Sequence, residues 1–433
     1  MGGDTIVALS SGALPAAIAV IRVSGPQAGA VARRFGLSTD VAGRLARATF
    51  RGADGEELDR GLWCWFAAPG SATGADILEL HVHGGKAVVQ AVIAQALQTD
   101  GVRLAERGDF VRQAFLNGKS DLTAIEGIGA LIEAETEAQR KLAFAGMSGQ
   151  SRMRAAGWRK MLVEAMALIE AELDFSEEDD IPGSMSTVVR AGIRVLAADI
   201  EAQIARNRGF EIVRGGFKVV LLGAPNAGKS SLLNALALRD VAIVTDEPGT
   251  TRDLIDVALD LEGYKIVLTD TAGLRETGNT AERLGIERAR ESADRADLVL
   301  WLHDLAAGGV VQTRAGSLVV GTKLDVAGGT LAPGVDVGVS ALTGEGLDRL
   351  IGLIVEKVRE AVPEPRGLSI SLREDRELRL AYRSLEMALG DGLELELVAE
   401  HLRAAADALA RITGEVGVEE LLDLIFSRFC IGK

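Results

Sequence analysis

The sequence predicts a multidomain protein of mixed α+β and α/β class, in which an α/β domain is inserted into a helical one. Three observations support this. The 433 residues leave room for about three domains. Strand and helix patterns mix in two separate stretches, and elsewhere apolar residues recur only at helical spacing. We therefore expect an α+β segment at 1–118, a helical segment at 119–212, an α/β domain at 213–365 and a second helical segment at 366–433.

The α+β segment has strand patterns at residues 18–23 and 77–82 and a helical pattern at 84–98. Each helical segment has an apolar stripe that needs a partner. The two stripes comprise Leu162, Met166, Ile169 and Leu173, and Leu402, Ala406, Leu409 and Ile412. We expect the two helical segments to pack together, with the α/β domain inserted between them.

The chain is acidic: 47 Lys and Arg face 62 Asp and Glu, giving a net charge of −15. Its overall field repels polyanions, so contact with a nucleic acid would need local basic clusters. Two cysteines, Cys64 and Cys430, are too few for a disulfide framework. No apolar run reaches about 18 residues, and the first residues lack the basic start of a signal peptide. We expect a cytoplasmic protein without a membrane span.

A phosphate-binding loop opens the α/β domain. The apolar strand 217–222 leads into Gly223-Ala-Pro-Asn-Ala-Gly-Lys-Ser230, and helix-forming residues follow to Leu238. Glycines at this position let backbone N–H groups converge on phosphate oxygens, and the helix N-terminus adds positive potential. We expect Lys229 to reach the terminal phosphates and Ser230 to bind Mg²⁺.

Four further motifs follow in the order of a guanine-nucleotide GTPase. Thr251 lies in Gly249-Thr-Thr-Arg-Asp253 and could close over the Mg²⁺, and Asp270-Thr-Ala-Gly273 follows a strand. Thr-Lys-Leu-Asp325 and Ser340-Ala-Leu342 suit base recognition, with Asp325 accepting from guanine N1–H and the amino group. The predicted GTP contacts are Asn226, Ala227, Gly228, Lys229, Ser230, Ser231, Thr245, Thr250, Thr251, Asp270, Thr271, Ala272, Gly273, Thr322, Lys323, Asp325, Ser340 and Ala341.

Two positions depart from the usual GTPase pattern. Thr322 stands where GTPases usually have Asn, and one hydroxyl replaces only part of the hydrogen bonding of an amide. We expect guanine preference to persist through Asp325 with altered stringency. Leu274 stands where Ras-type enzymes have Gln, so another group must position the attacking water. Glu282 is the candidate; its alternative is an ordinary solvated glutamate.

The motifs together resemble the MnmE (TrmE) family of tRNA modification GTPases over the whole chain. The resemblance rests on Asp4-Thr-Ile-Val-Ala8, Ile21-Arg-Val-Ser-Gly25, Asp76-Ile-Leu-Glu-Leu80, His83-Gly-Gly85, Phe115-Leu-Asn-Gly-Lys119, the insertion topology and Phe429-Cys-Ile-Gly-Lys433.

The resemblance implies a folate-binding N-terminal domain that dimerises, and a GTPase domain inserted into a helical one. It implies that the protein acts with the FAD-dependent protein MnmG (GidA), in a heterotetramer or larger assembly. Together they would add a carboxymethylaminomethyl or aminomethyl group at C5 of the tRNA wobble uridine, U34. A tetrahydrofolate derivative, 5-formyl- or methylene-tetrahydrofolate, would supply the one-carbon unit. The implied folate contacts are Arg22, Glu79, Lys119 and Lys433. Cys430 is implied to act near the folate, although a buried packing role is equally consistent with its neighbours.

Potassium activation is a further implication of the resemblance. In such GTPases two inserted domains meet, and K⁺ takes the place of an arginine finger. The matching positions for K⁺ are Asn226, Thr245, Glu247 and Thr250, and Glu282 matches the glutamate that orients water. Here Glu247-Pro248 stands where the family more often has an apolar residue and Ala.

Two other functions remain open at this point. A ribosome-assembly GTPase of the same superfamily would share the GTPase motifs, but it would need an RNA-binding module that the sequence does not reveal. A folate-dependent aminomethyl transferase with a regulatory nucleotide domain would turn over a small substrate without tRNA.

Overall fold

We analysed the fold in a computed structural model. It describes residues 3–40, 42–174, 185–239, 255–270, 291–311, 313–362 and 371–415, with the separate residues 425, 429, 431 and 432. The chain forms two compact units, Met1–Gly129 with Arg152–Val189 and Arg383–Lys433, and Ala130–Ser151 with Arg190–Tyr382. These divisions fall within helices and do not test the four predicted domain ranges, which stay a prediction.

The described strands are β1 (Thr5–Leu9), β2 (Ala16–Ser24), β3 (Ala46–Arg51), β4 (Glu57–Phe66), β5 (Ile77–Gly84), β6 (Val102–Leu104), β7 (Phe217–Gly223), β8 (Ile255–Leu261), β9 (Tyr264–Asp270), β10 (Leu298–Asp304), β11 (Leu318–Thr322) and β12 (Val337–Gly338). The described helices are α1 (Ala28–Arg34), α2 (Lys86–Leu97), α3 (Asp109–Leu116), α4 (Leu122–Glu133), α5 (Glu137–Gly146), α6 (Gln150–Asp174), α7 (Met185–Gly215), α8 (Lys229–Arg239), α9 (Leu347–Ala361), α10 (Leu372–Ala388) and α11 (Leu395–Thr413). Residues 291–295 are also helical.

The first unit contains a six-stranded sheet in the order β3-β4-β5-β2-β1-β6. Its strands pair antiparallel except β1 and β6, which are parallel. Apolar residues of α1 and α2 pack with one sheet face in a common core that includes Val23, Leu80 and Val92. The predicted strands at 18–23 and 77–82 are confirmed as β2 and β5, and the predicted helix at 84–98 is confirmed as α2.

Helices from distant parts of the sequence meet in this unit. The predicted stripe of α11 is buried, with Leu402 fully inaccessible. Ion pairs join α6 to the last helical segment: Arg159 lies 3.6 Å from Glu415, and Arg403 lies 3.5 Å from Glu170. The two predicted helical segments therefore contact each other here.

The second unit contains a six-stranded sheet in the order β12-β11-β10-β7-β9-β8. The alternation of strand and helix that predicts this α/β domain also predicts a parallel sheet. That is right for five strands and wrong for β8, which pairs antiparallel with β9. The reason is a two-residue turn in which both Glu262 (φ 50°) and Gly263 (φ 86°) are left-handed, the geometry that joins adjacent antiparallel strands. Glu-Gly lacks the Asn or Asp that usually signals this turn.

A buried hydrogen bond connects α7 to α10 across 168 residues of sequence. Asn207 Nδ2 donates to Asp375 Oδ1 over 2.6 Å, and Arg379 Nε donates to Asp375 Oδ2 over 2.6 Å. Asn207 is 2% exposed and Asp375 is 9% exposed. The hydrogen bond to Asp375 raises the pKa of Arg379, against a smaller opposing effect of burial.

We expect Asn207→Ala to destabilise the second unit by about 1–3 kcal/mol, because it leaves one oxygen of a buried carboxylate without its donor. Urea unfolding followed by circular dichroism measures the loss. Arg208→Ala, at an exposed position of the same helix, is the matched control and should change stability by less than about 0.5 kcal/mol. Equal effects of the two substitutions would contradict a stabilising role for this contact.

Candidate functional site

The phosphate-binding loop lies between β7 and α8, as predicted. Its backbone requires glycine at both ends. A Cβ on Gly223 would lie 2.5 Å from the carbonyl oxygen of Leu302 on the neighbouring strand β10, and Gly228 has a φ of 88°. Asn226 is also left-handed, with a φ of 64°, which Asn tolerates better than most residues. The loop therefore turns tightly enough to direct backbone N–H groups toward a bound phosphate.

Lys229 and Ser230 begin α8, directly after the loop. Lys229 Nζ donates to the carbonyl oxygens of Gly223 and Ala224, at 2.9 and 3.0 Å, so its ammonium lies over the loop. The Ser230 hydroxyl is carried on the first helical turn. This is the arrangement in which a lysine contacts terminal phosphates and a serine binds Mg²⁺.

A cavity of about 270 Å³ lies beside the loop. Most of the predicted base-recognition residues line it. The lining residues are Gly228, Ser231, Leu232, Thr322, Lys323, Asp325, Val339, Ala341 and Leu342. The structure thus brings the start of α8 together with both predicted base-recognition segments.

Thr322 connects the base cavity to the phosphate-binding loop. Its hydroxyl donates to the carbonyl oxygen of Ala227 at 2.8 Å and lies 3.2 Å from that of His303. Both Thr322 (4% exposed) and Ala227 (1% exposed) are buried. The methyl-bearing side chain also packs near Gly228, where an added Cβ would lie 3.5 Å from Thr322 Cβ. The hydroxyl therefore ties the loop to β11 by a hydrogen bond.

Lys323 follows in a left-handed conformation, with a φ of 58°. Its Nζ lies 2.5 Å from Asp304 Oδ2 at the end of β10. Burial alone would raise the pKa of Asp304, but the hydrogen bonds from Lys323 and from the backbone of Ala306 and Ala307 outweigh it and lower that pKa. The carboxylate is thus charged at neutral pH and holds the lysine.

The second base-recognition segment is a tight loop after β12. Ser340 is fully buried, and its Oγ accepts from the backbone N–H of Thr343 at 3.1 Å. The loop closes at Gly346, where a Cβ would collide with the carbonyl of Gly338. Val339 N–H donates to Gly321 over 2.7 Å, which ties this loop to β11 and hence to Thr322.

Several predicted site residues lie outside the described part of the chain. Asp270 is the last residue of β9, but its side chain lies outside the described part of the structure. The others are Thr245, Glu247, Thr250, Thr251, Thr271, Ala272, Gly273, Glu282, Cys430 and Lys433. Of the positions assigned to Mg²⁺ and K⁺, the structure describes Ser230 and Asn226, and both assignments stay predictions.

Arg22 and Glu79, the first two implied folate contacts, are paired with each other. The register of β2 and β5 places them opposite one another. Arg22 Nε and Nη2 both donate to Glu79 Oε1, at 2.9 and 2.8 Å, and the guanidinium lies 5.7 Å from the centre of the Phe110 ring. The ring and the ion pair together fix the guanidinium.

His81 is a neighbour that sequence reasoning did not assign to this site. Its Nε2 lies 3.6 Å from Glu79 Oε2, beyond hydrogen-bond distance, and is buried without a partner among the described residues. The only sequence signal was its position two residues after Glu79, which places both on the same face of β5.

Lys119 and the chain end approach the same domain. Lys119 follows α3, the helix that carries Phe110, and a Cβ on Gly74 would lie 2.8 Å from Lys119 Cγ. Ile431 forms a bridge with Arg107, and Gly432 packs so tightly that a Cβ would meet the Leu9 carbonyl. The residues next to Cys430 and Lys433 therefore lie against the N-terminal sheet.

Cys64 has a packing role on β4. It is 4% exposed. Burial, and to a smaller extent the Glu79 carboxylate, raises the pKa of the Cys64 thiol. A protonated, buried thiol is a poor nucleophile.

Two family models match the chain. One, described as the GTP-binding protein TrmE N-terminus, matches residues 5–119, and the other, the MnmE helical domain, matches residues 122–430. A tRNA modification GTPase MnmE of Mesorhizobium japonicum is 49% identical over 444 residues, covering 100% of both chains. That of Chelativorans sp. is 48% identical, covering 99% of this chain and 98% of the relative. The chain belongs to the MnmE family of tRNA modification GTPases.

One solved structure similar to part of this MnmE family member is a G domain. The G domain of the T. maritima FeoB iron transporter is 28% identical, covers 33% of this chain and 99% of its own, and has a TM-score of 0.25.

None of the described helices combines the length and apolar character that crossing a bilayer requires. Among those same residues, no three His, Cys, Asp or Glu side chains converge as metal ligands would.

The hydrogen bond from the Thr322 hydroxyl to the Ala227 carbonyl can be tested with valine, which has nearly the same shape as threonine but no hydroxyl. We expect Thr322→Val to destabilise the nucleotide-binding unit by about 1–3 kcal/mol, because the buried Ala227 carbonyl loses its donor. Thr322→Ser keeps the hydroxyl and should lose less, about 1 kcal/mol for one methyl group. Urea unfolding compares the two variants. If the serine variant were as unstable as the valine variant, the Thr322 hydroxyl would not stabilise the loop through this hydrogen bond.

Proposed function

We propose that the chain hydrolyses GTP and couples this cycle to modification of the tRNA wobble uridine at C5, using a tetrahydrofolate one-carbon donor, in the cytoplasm. Membership of the MnmE family supports the GTPase and tRNA parts. The observation that carries the proposal is the joining of phosphate loop and base cavity through Gly228 and Thr322, next to Asp325.

Each predicted nucleotide-site residue has a definite task in this proposal. The loop amides and Lys229 bind the phosphates, and Asp325 accepts from the N1–H and amino group of guanine. Lys229 exchanges a loop carbonyl for phosphate oxygens when GTP binds. Ser230, with Thr251, would hold Mg²⁺, which supplies charge neutralisation on the transferred phosphate. Glu282 orients the water that attacks the γ-phosphate.

Potassium activation is the second part of the proposal. Asn226, at the left-handed position of the loop, presents an amide oxygen of the kind K⁺ binds. Thr245, Glu247 and Thr250 would complete the ion's ligands. Dimerisation of the inserted domains across their nucleotide faces is the event this ion would support.

We expect KCl to stimulate GTP hydrolysis about tenfold over NaCl at equal ionic strength, equivalent to roughly 1.4 kcal/mol of barrier. Steady-state phosphate release by the purified full chain measures this. Glu282→Ala should abolish hydrolysis while GTP still binds, because the water loses its orienting group.

Glu291→Ala is the matched control, because Glu291 is exposed and is not one of the predicted site residues. It should hydrolyse GTP as the unmodified chain does. Equal rates in the two salts would contradict the potassium assignment, and a normal Glu282→Ala rate would contradict the role of Glu282.

Folate binding is proposed on the N-terminal sheet. Glu79 is well placed to accept from the donor edge of a pterin, because Arg22 orients it through a single oxygen, Oε1. The second oxygen, Oε2, is left near His81. Arg22 therefore acts as a positioning residue for Glu79, whereas Lys119 and Lys433 are left to meet the folate carboxylates.

We expect Glu79→Gln to weaken binding of 5-formyl-tetrahydrofolate by about tenfold or more, because an amide is a poorer acceptor and presents a donor to a donor. Isothermal titration calorimetry measures the affinity. Glu57→Gln is the matched control: it also lies on this sheet and also pairs with arginines, Arg51 and Arg60. Equal affinities of both variants would contradict folate binding at Glu79.

The assembly completes the proposal. We propose a homodimer through the N-terminal domain that works with the FAD-dependent protein MnmG (GidA) on tRNA, in a heterotetramer or larger complex. We also propose the domain limits 1–118, 119–212, 213–365 and 366–433. Cys430 stays a candidate for the one-carbon chemistry, because its neighbours lie against the same sheet as Glu79.

A further inference from the structure

We infer that this chain recognises guanine without reading the N7 atom of the base, and that residue 322 decides this. The inference deepens the proposed function, because it rests on GTP binding in the cavity beside the phosphate loop. It concerns specificity: the pocket should accept guanine nucleotides altered at position 7.

The position of Thr322 brings it to the N7 side of the base. Asp325 takes the N1–H and amino edge of guanine, and the imidazole ring lies on the opposite side, toward the sugar and phosphates. Thr322 lies on that phosphate side of the cavity, within van der Waals distance of where a Cβ on Gly228 would be. Residue 322 is therefore the side chain best placed to meet N7.

The chemistry of Thr322 prevents it from doing so. A hydroxyl has one hydrogen to donate. That hydrogen is directed at buried carbonyl oxygens, Ala227 at 2.8 Å and His303 at 3.2 Å. The remaining lone pairs of Oγ1 only accept, and the N7 and O6 atoms of guanine also only accept. Turning the hydrogen toward N7 would leave the Ala227 carbonyl buried and unpaired, which offsets any gain.

Two other side chains that line the cavity carry donors. Lys323 has its ammonium 2.5 Å from the Asp304 carboxylate at the end of β10, which holds it in an ion pair. Ser231 lies on the first turn of α8, on the part of the cavity formed by the phosphate loop. Neither is in the position that residue 322 occupies between the loop and the base.

Asparagine at position 322 would remove this limit. Its amide has two hydrogens, so one can hold the Ala227 carbonyl while the other reaches N7. Thr322→Asn should therefore keep the hydrogen bond to the loop and add one to N7 of the base. The natural threonine makes only the hydrogen bond to the loop.

The test compares GTP with 7-deaza-GTP, in which a C–H group replaces N7. Both nucleotides displace a fluorescent GDP analogue from the full-length chain in the presence of Mg²⁺. We expect the unmodified chain to bind the two within about twofold of each other. Thr322→Asn should prefer GTP by about threefold to tenfold, the contribution of one neutral hydrogen bond. Thr322→Ser, which also has a single hydroxyl, should likewise bind GTP and 7-deaza-GTP within about twofold of each other, whatever its absolute affinity.

Each other outcome has a definite meaning. A preference of fivefold or more for GTP in the unmodified chain overturns the inference, because N7 is then read. A Thr322→Asn variant that binds GTP yet gains no preference overturns the assignment to residue 322. Asp325→Asn tests the proposed function separately, since it should exchange GTP for XTP, whose C2 carbonyl accepts from the new amide. If GTP displaces nothing, the proposed function fails and takes the inference with it.

Discussion

The fold depends on a constraint of connectivity: helices separated by more than 150 residues must bury their apolar faces against each other. Asn207 and Asp375 show how strict this is, because a buried amide and a buried carboxylate pair across 168 residues of sequence. Neither group is tolerable in a core alone, so the contact specifies how α7 and α10 meet. The α/β domain leaves the helical segment just after α7 and returns before α10, so this contact holds both of its connections.

Within the α/β domain, the phosphate and base halves of the site are also mutually dependent. Thr322 belongs to β11, and its hydroxyl fixes a carbonyl of the loop that follows β7. The Ser340 loop is tied to the same strand through Gly321. The Thr322 hydroxyl thus ties the predicted phosphate-binding loop to β11, and by our inference its one hydrogen is then not available to the base.

Much of this could be predicted from local pattern. The phosphate loop, β2, β5 and the α11 stripe are set by residues close in sequence, so their signals are strong. The direction of β8 was missed because Glu-Gly is an unusual pair for its turn. The Arg22–Glu79 pair was missed because it depends on the register of strands 57 residues apart, which alternation of side chains cannot reveal. The residues were identified by resemblance, but their relation to each other was not.

The net charge of −15 also bears on the basic residues that could contact tRNA. A basic cluster on α6, formed by Arg152, Arg154, Arg159 and Lys160, lies beside carboxylates and an aromatic ring of the same chain. Arg152 lies 3.6 Å from Asp121, Arg159 lies 3.6 Å from Glu415, and Lys160 lies 3.8 Å from Glu164. Arg154 lies over the Trp158 ring. These cations are exposed and their ion pairs are long, so each pair contributes little and a phosphate could compete with the carboxylate. A tRNA phosphate that bound α6 would therefore exchange one weak ion pair for another, and the gain in free energy would come mainly from the counterions that the RNA releases.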